Sequence, residues 1–133
     1  MKSGTSFREV SAVALARHAA RELLFRSELD GREVDEVIFS QVVPSVLAPN
    51  VAREVSLLPQ LLPSVPAYTL NRACASSAQA INNAADQIAL GHADTIIAGG
   101  VESLSDIPIL HSRRFSRVLM DASRARGLGG RVA

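Results

Sequence analysis

Cys74 is the only cysteine among the 133 residues, and it lies in Asn71-Arg72-Ala73-Cys74-Ala75-Ser76-Ser77, where a short apolar stretch gives way to a long run of small residues. The chemistry such a side chain offers is nucleophilic attack. Helical spacing predicts a helix from about Arg72 to Leu90, which would put a thiol in the first turn, where unpaired backbone N–H groups and the positive end of the helix dipole favour the thiolate form of any cysteine. A lone cysteine has a plainer reading as a small inert hydrophobe. Position alone leaves both readings open.

Few other residues could join it in catalysis. His92 follows the far end of the predicted helix, about five turns or roughly 27 Å from its start, and cannot reach Cys74. His18 and His111 read as ordinary surface or core histidines, since no partner that would orient either ring can be named. Glu102 follows Gly99-Gly100 and reads as a structural hydrogen-bond acceptor, with no catalytic role assigned. No histidine, cysteine and carboxylate cluster has metal-ligand spacing, so no metal is expected.

The elements that must position Cys74 are read from apolar periodicity. Val13, Ala16, Ala20, Leu23 and Leu24 recur at helical spacing, predicting an amphipathic helix over Glu9 to Ser27 closed by Asp30-Gly31. Val34 to Val43 reads as a strand whose centre, Val37-Ile38-Phe39, suits a parallel strand covered on both faces, with Pro44 ending it. Asn50 is placed to cap a short helix over Val51 to Leu58, and prolines 59, 63 and 66 punctuate a loop into a strand at Ala67 to Leu70. The cysteine helix follows, with Ile81, Ala84, Ala85, Ile88 and Ala89 on one face and Gly91 as its C′ residue. Alanines and serines from Ala73 to Ala80 leave its first turns with little bulk. That suits close enclosure by other backbone, although alanine is also simply the best helix former. Thr95 to Ala98 is a further buried strand, and Gly99-Gly100 is expected to end it at a close backbone approach. Alternating strands and helices imply an α/β domain with a mainly parallel sheet and helices on both faces.

Composition narrows the classes further. Hydrophobic residues at 47% against charged residues at 20% indicate a globular chain. A formal net charge of +1 gives no support to nucleic-acid binding or general attachment to a membrane surface. No apolar run is long enough to span a bilayer, and Met1 to Ser6 has no apolar signal-peptide core. A reducing cytoplasm fits best; a mitochondrial location stays open if a leader precedes Met1. Residues 112–133 change character, with Arg113, Arg114, Arg117, Arg124, Arg126 and Arg131 making them basic and Gly127, Gly129 and Gly130 loosening their end.

The segment Asn71 to Ile81, followed by Ala98-Gly99-Gly100-Val101-Glu102-Ser103-Leu104-Ser105, resembles the thiolase family in two motifs at the right separation. Ser6-Phe7 and the helix after it resemble the first helix of that family, and Ser112 to Arg126 resembles the start of its loop domain. Phe115 to Met120 is similar to the thiolase subunit of fatty-acid oxidation complexes. The resemblance implies a thiolase-like layered α/β fold, N-terminal half only. Its N-terminal α/β domain, residues 1–111, would lack its first and last strands, and residues 112–133 would begin the loop domain. It also implies a five-stranded mixed sheet of order 3-2-1-4-5, with a strand preceding Met1 lying between Val34 to Val43 and Thr95 to Ala98.

By the same resemblance Cys74 is the catalytic residue, attacking a 3-ketoacyl-CoA to release acetyl-CoA and form an acyl-enzyme, with coenzyme A as a substrate and no separate cofactor. Its backbone N–H would give one oxyanion donor. The family's Gly-His-Pro and Cys-x-Gly motifs do not occur in these residues, so the chain reads as an N-terminal piece, inactive alone. Its partners would be acyl-CoA, coenzyme A, further copies in a homodimer or tetramer, and a hydratase/dehydrogenase subunit. A biosynthetic acetoacetyl-CoA thiolase and a non-catalytic domain binding acyl-CoA or another subunit are the alternatives. A β-ketoacyl synthase fits less well, because its cysteine usually follows an Asp-Thr-Ala type segment. The arginines after Ser112 read either as contacts for the phosphates of coenzyme A or as a solvated helix face.

Overall fold

A computed structural model describes residues 6–124. Met1, Arg126, Arg131, Gly127, Gly129 and Gly130, on which some sequence expectations rest, lie outside the described residues.

The first helix, α1, spans Ala12–Ser27 and begins later than its periodicity suggests, because Ser11 is extended and its side chain accepts a hydrogen bond from the Ala14 N–H, 3.2 Å away. It ends in a left-handed residue, Glu28, with φ 55°. Asp30 does not close this helix but caps a short 3-10 turn over Gly31–Glu33. Strand β1 is Glu36–Ser40, shorter than expected, followed by helix α2, Val51–Ser56, which Asn50 caps as its sequence predicts. Strand β2 is Ala67–Leu70, as expected. Helix α3 covers Ser76–Ala89, and Gly91, at φ 70°, sits just past its Leu90 C-cap as anticipated. Strand β3, Ile96–Gly100, runs through both glycines and does not stop before them. Helix α4, Arg113–Arg124, completes the described residues.

The three strands are parallel, in the order β2-β1-β3. β1 pairs with β3 in continuous register from Glu36↔Ile96 to Ser40↔Gly100. Within these residues β1 and β3 are direct neighbours; the strand that the resemblance places between them would come from residues preceding Met1. β1 takes the centre because its Val37-Ile38-Phe39 run is apolar on both faces; Val37 and Ile38 are fully buried.

Alternation along β1 divides the core into two layers. Val37 and Phe39 face Ala16, Ala20 and Leu24 of α1 and Val51, Ala52 and Val55 of α2. Ile38 faces Ala80 and Ala84 of α3 on the opposite side. Helices therefore cover both faces, as expected. The buried stripe of α3 is Ser76, Ala80 and Ala84, whereas Ile81 and Ile88 are about half exposed, which corrects the apolar face read from periodicity. The small stripe lets the helix lie close to the sheet, and the larger side chains turn away from it.

The loop before β3 is tied to the start of β1 by Asp35, whose Oδ2 accepts hydrogen bonds from the N–H groups of Asp94 at 2.8 Å and Thr95 at 2.9 Å. The bonds from Thr95 and Asp94 hold this carboxyl below its ordinary value. A lowered folded-state value gives stability that is complete above the unfolded aspartate value of about 3.9 and lost as pH falls through the folded one. Replacement by asparagine is expected to flatten the fall of the urea midpoint with decreasing pH below about pH 4. An unchanged acid slope in Asp35→Asn would show that these bonds do not favour the folded state.

Candidate active site

The carboxyl ends of β1 and β3 and the segment that leads from β2 into α3 meet at one opening, on the side of the sheet where open parallel sheets usually bind ligands. β1 delivers Ser40 and Gln41, β2 leads through Asn71 and Arg72 to Cys74, and β3 delivers Gly100 and then Glu102. Cys74 and these strand ends line a cavity of about 360 Å³. The thiol residue is exposed, so the reading of Cys74 as an inert core side chain fails.

Cys74 does not occupy the first helical turn as expected. α3 begins at Ser76 with Ala75 as its N-cap, so Cys74 stands just ahead of it in a tight bend. The bend turns at Ala73, whose φ of 47° lies in the left-handed region that non-glycine residues seldom adopt. A hydrogen bond from the Ala73 N–H to Asn71 Oδ1, 2.9 Å, closes an Asx turn around it. Expectation failed at this point because alanine and serine carry no sequence sign of a break; the bend is imposed by bonds to the surrounding chain.

The cavity floor is polar and close-packed. Ser40 Oγ and Ser77 Oγ lie 3.2 Å apart. A β-carbon built at Gly100 would fall 2.2 Å from each of these oxygens, so any side chain there would displace both hydroxyls. The expected close backbone approach is therefore real, although it lies within the strand. Enclosure of the small-residue segment is partial: Ser76 and Ala80 are buried, whereas Ala73, Ala75, Ser77 and Ala78 remain exposed among the described residues. The serines at 40 and 77 were not singled out as site residues from sequence. Their signal was the pair of serines at 76 and 77, which serve no helix propensity.

Glu102 behaves as a structural acceptor, as read from sequence: its Oε2 takes hydrogen bonds from the N–H groups of Val42 at 2.9 Å and Val43 at 3.1 Å. These bonds hold the chain leaving β1 against the chain leaving β3 at the cavity wall. The three histidines are not brought to the cysteine. His18 meets Arg21 on α1, His92 meets Gln87 beyond α3, and His111 packs its ring 4.9 Å from that of Phe115; all three are exposed. No cavity-lining residue is a histidine or a second thiol. Arg113, Arg114, Arg117 and Arg124 stand exposed on α4, which has no buried residue. Among the described residues no helix is long and apolar enough to cross a membrane.

The site presents an exposed thiol in a small cavity whose lining includes the hydroxyls of Ser40, Ser76 and Ser77. The sequence matches the family profile for the thiolase N-terminal domain over residues 1–130. It is 42% identical over 132 residues to a 3-ketoacyl-CoA thiolase of Shewanella pealeana, covering 99% of this chain and 30% of that protein. It is 41% identical over 131 residues to the mitochondrial trifunctional enzyme subunit beta of Mus musculus, covering 98% of this chain and 28% of that one. The fold is similar to the crystal structure of the Bacillus anthracis acetyl-CoA acetyltransferase, with a TM-score of 0.79 and 35% identity over 84% of this chain and 28% of that chain. The chain thus spans under a third of the length of these relatives.

Proposed function

The chain belongs to the thiolase family, and from that premise we propose that it supplies the nucleophile of a 3-ketoacyl-CoA thiolase acting in fatty-acid β-oxidation. The observation that carries this reading is the exposed Cys74, set on a bend in the cavity at the carboxyl ends of the parallel strands. Sγ of Cys74 attacks the C3 ketone carbon of the substrate. The C2–C3 bond then breaks, its electron pair passes to C2, and protonation there releases acetyl-CoA while the shortened acyl group stays on sulfur. The thiol of coenzyme A next attacks that thioester, takes the acyl group, and returns the cysteine.

These steps need a base for the thiol proton and an acid for C2, and the cavity lining contains no histidine. Those groups come from outside the 133 residues, in keeping with the 30% of the Shewanella pealeana thiolase that this chain spans. The exposed arginines of α4 suit the phosphates of coenzyme A. Assembly into a homodimer or tetramer, and pairing with a hydratase/dehydrogenase subunit, belong to the same reading; the name of the Mus musculus relative, a trifunctional enzyme subunit, supports the second. Its mitochondrial label favours a mitochondrial site if the source cell has that organelle, and a cytoplasmic one otherwise.

Thiolysis assays of the protein as its source cell makes it, with coenzyme A and 3-ketoacyl-CoA substrates of increasing chain length, test the proposal. Turnover on substrates longer than acetoacetyl-CoA is expected. Activity confined to acetoacetyl-CoA would favour a biosynthetic thiolase, which the Bacillus anthracis neighbour's name makes the second reading. Residues 1–133 by themselves should not turn over at ordinary enzyme rates of about 10 per second. If they do, the acid and base lie within this chain and their placement elsewhere is wrong.

A further inference from the structure

We propose that Ser76 and Asn71 are positioning residues for Cys74, clamping a bend whose backbone would otherwise relax. The inference rests on the reading of Cys74 as nucleophile and extends it to residues that do not touch the reacting atoms. Ala73, immediately before the cysteine, holds φ at 47° without being glycine. Such a residue persists in the left-handed region only where its surroundings over-determine it.

Two side chains supply that restraint from opposite sides of the bend. Ser76 is buried at 4% exposure, and its hydroxyl accepts from the Arg72 N–H at 2.7 Å while donating to the Ala73 carbonyl at 2.6 Å. One oxygen therefore bridges the residues on either side of the Arg72–Ala73 peptide link. Asn71 accepts from the Ala73 N–H at 2.9 Å and donates through Nδ2 to the Val42 carbonyl at 3.1 Å, tying the bend to the segment that leaves β1. Ala73 thus has both its N–H and its carbonyl held by side chains. The direction in which Sγ of Cys74 leaves the backbone follows from that fixed peptide geometry. Loss of a clamp lets the bend relax toward negative φ and turns the thiol from its line of attack, and a misplacement of about 1 Å can cost on the order of 100-fold in rate.

The test uses the complete protein with Ser76→Ala, Ser76→Thr, Asn71→Ala, and the pair Ser76→Ala with Ala73→Gly. Two readouts are taken: kcat and KM for 3-ketoacyl-CoA thiolysis, and the alkylation rate of Cys74 by iodoacetamide, followed by peptide mass spectrometry. Ser76→Ala is expected to lower kcat roughly 10- to 100-fold with little change in KM, and to alter the alkylation rate. Ser76→Thr, which keeps the hydroxyl, should retain most of the activity, and Asn71→Ala should act in the same direction as Ser76→Ala. Adding Ala73→Gly, which removes the steric objection to positive φ, should restore part of the lost kcat. Folded Ser76→Ala protein with unaltered kcat and alkylation rate overturns the proposal. So does a loss that Ala73→Gly leaves entirely unrelieved. If the wild type alkylates at Cys74 but shows no thiolysis, the thiolase reading fails, while the alkylation rates still report whether the clamps position the thiol.

Discussion

Cys74→Ala in the complete protein is expected to lower 3-ketoacyl-CoA thiolysis by at least about 1,000-fold, because it removes the sulfur to which the proposed mechanism transfers the acyl group. The size of the effect is interpretable because the residue is exposed and contributes nothing to either core layer. Substitution of an exposed side chain outside a packed or bonded feature usually changes stability by within about 0.5 kcal/mol. Thermal melts of wild type and Cys74→Ala should therefore nearly superimpose while turnover collapses. Equal loss of both would mean that the cysteine serves the fold and not the chemistry. Cys74→Ser is a stricter version, since it keeps the size of the side chain and replaces the nucleophile by a much weaker one.

The second large effect is expected at Gly100. A methyl group there would sit 2.2 Å from both Ser40 Oγ and Ser77 Oγ and 3.2 Å from the Ser40 carbonyl oxygen. Relief by backbone movement is blocked, since Gly100 is paired in register with Ser40. Gly100→Ala should destabilise the protein by about 1–3 kcal/mol, as overpacking does, and should also push apart the two serines that floor the cavity. Its neighbour provides the control. A β-carbon at Gly99 meets only the ring of Phe39, at 3.8 Å, an ordinary van der Waals contact. Gly99→Ala should be neutral, or stabilising by about 0.4–1 kcal/mol through the unfolded chain. Denaturant melts of the two variants test the difference, and combining Gly100→Ala with Ser40→Ala and Ser77→Ala should recover much of the loss. Equal stability of Gly99→Ala and Gly100→Ala would show that the close packing at the cavity floor does not constrain the strand.

Much of the framework was legible because it is written in local patterns. The alternation of apolar strands and helices, the Asn50 cap, the limits of β2 and the role of Gly91 all follow from side chains acting on their own stretch of backbone. The direct pairing of β1 with β3 was not legible, because pairing between distant strands leaves no local trace. One sign did exist: Val37-Ile38-Phe39 is the most apolar of the three strand centres, and a strand so covered belongs in the middle of the sheet.

The structural reading of Glu102 was legible, and the geometry around Cys74 was obscured. An alanine-rich run continues the helical pattern back to Arg72, and nothing in Ala73 announces a left-handed residue. The bend comes from Asn71, whose two side-chain bonds reach Ala73 and Val42, and from Ser76, which binds back over it. Two serines in the first turn of a helix whose first residues have no bulk were the available clue. The face of α3 was misread for a related reason. Isoleucines at 81 and 88 dominate a hydrophobicity count, but the sheet accepts the small side of the helix because close approach to Ile38 needs alanine there.

The central claim, that Cys74 carries the acyl group, is tested most directly by trapping the intermediate. The complete protein is incubated with a 3-ketoacyl-CoA in the absence of free coenzyme A, quenched in acid, digested, and read by peptide mass spectrometry. The account predicts the mass of the shortened acyl group on the peptide containing Cys74, with fragment ions placing it on that residue and its removal when coenzyme A is added before the quench. Acylation of a different residue, or steady turnover with no acyl group on Cys74, would contradict it.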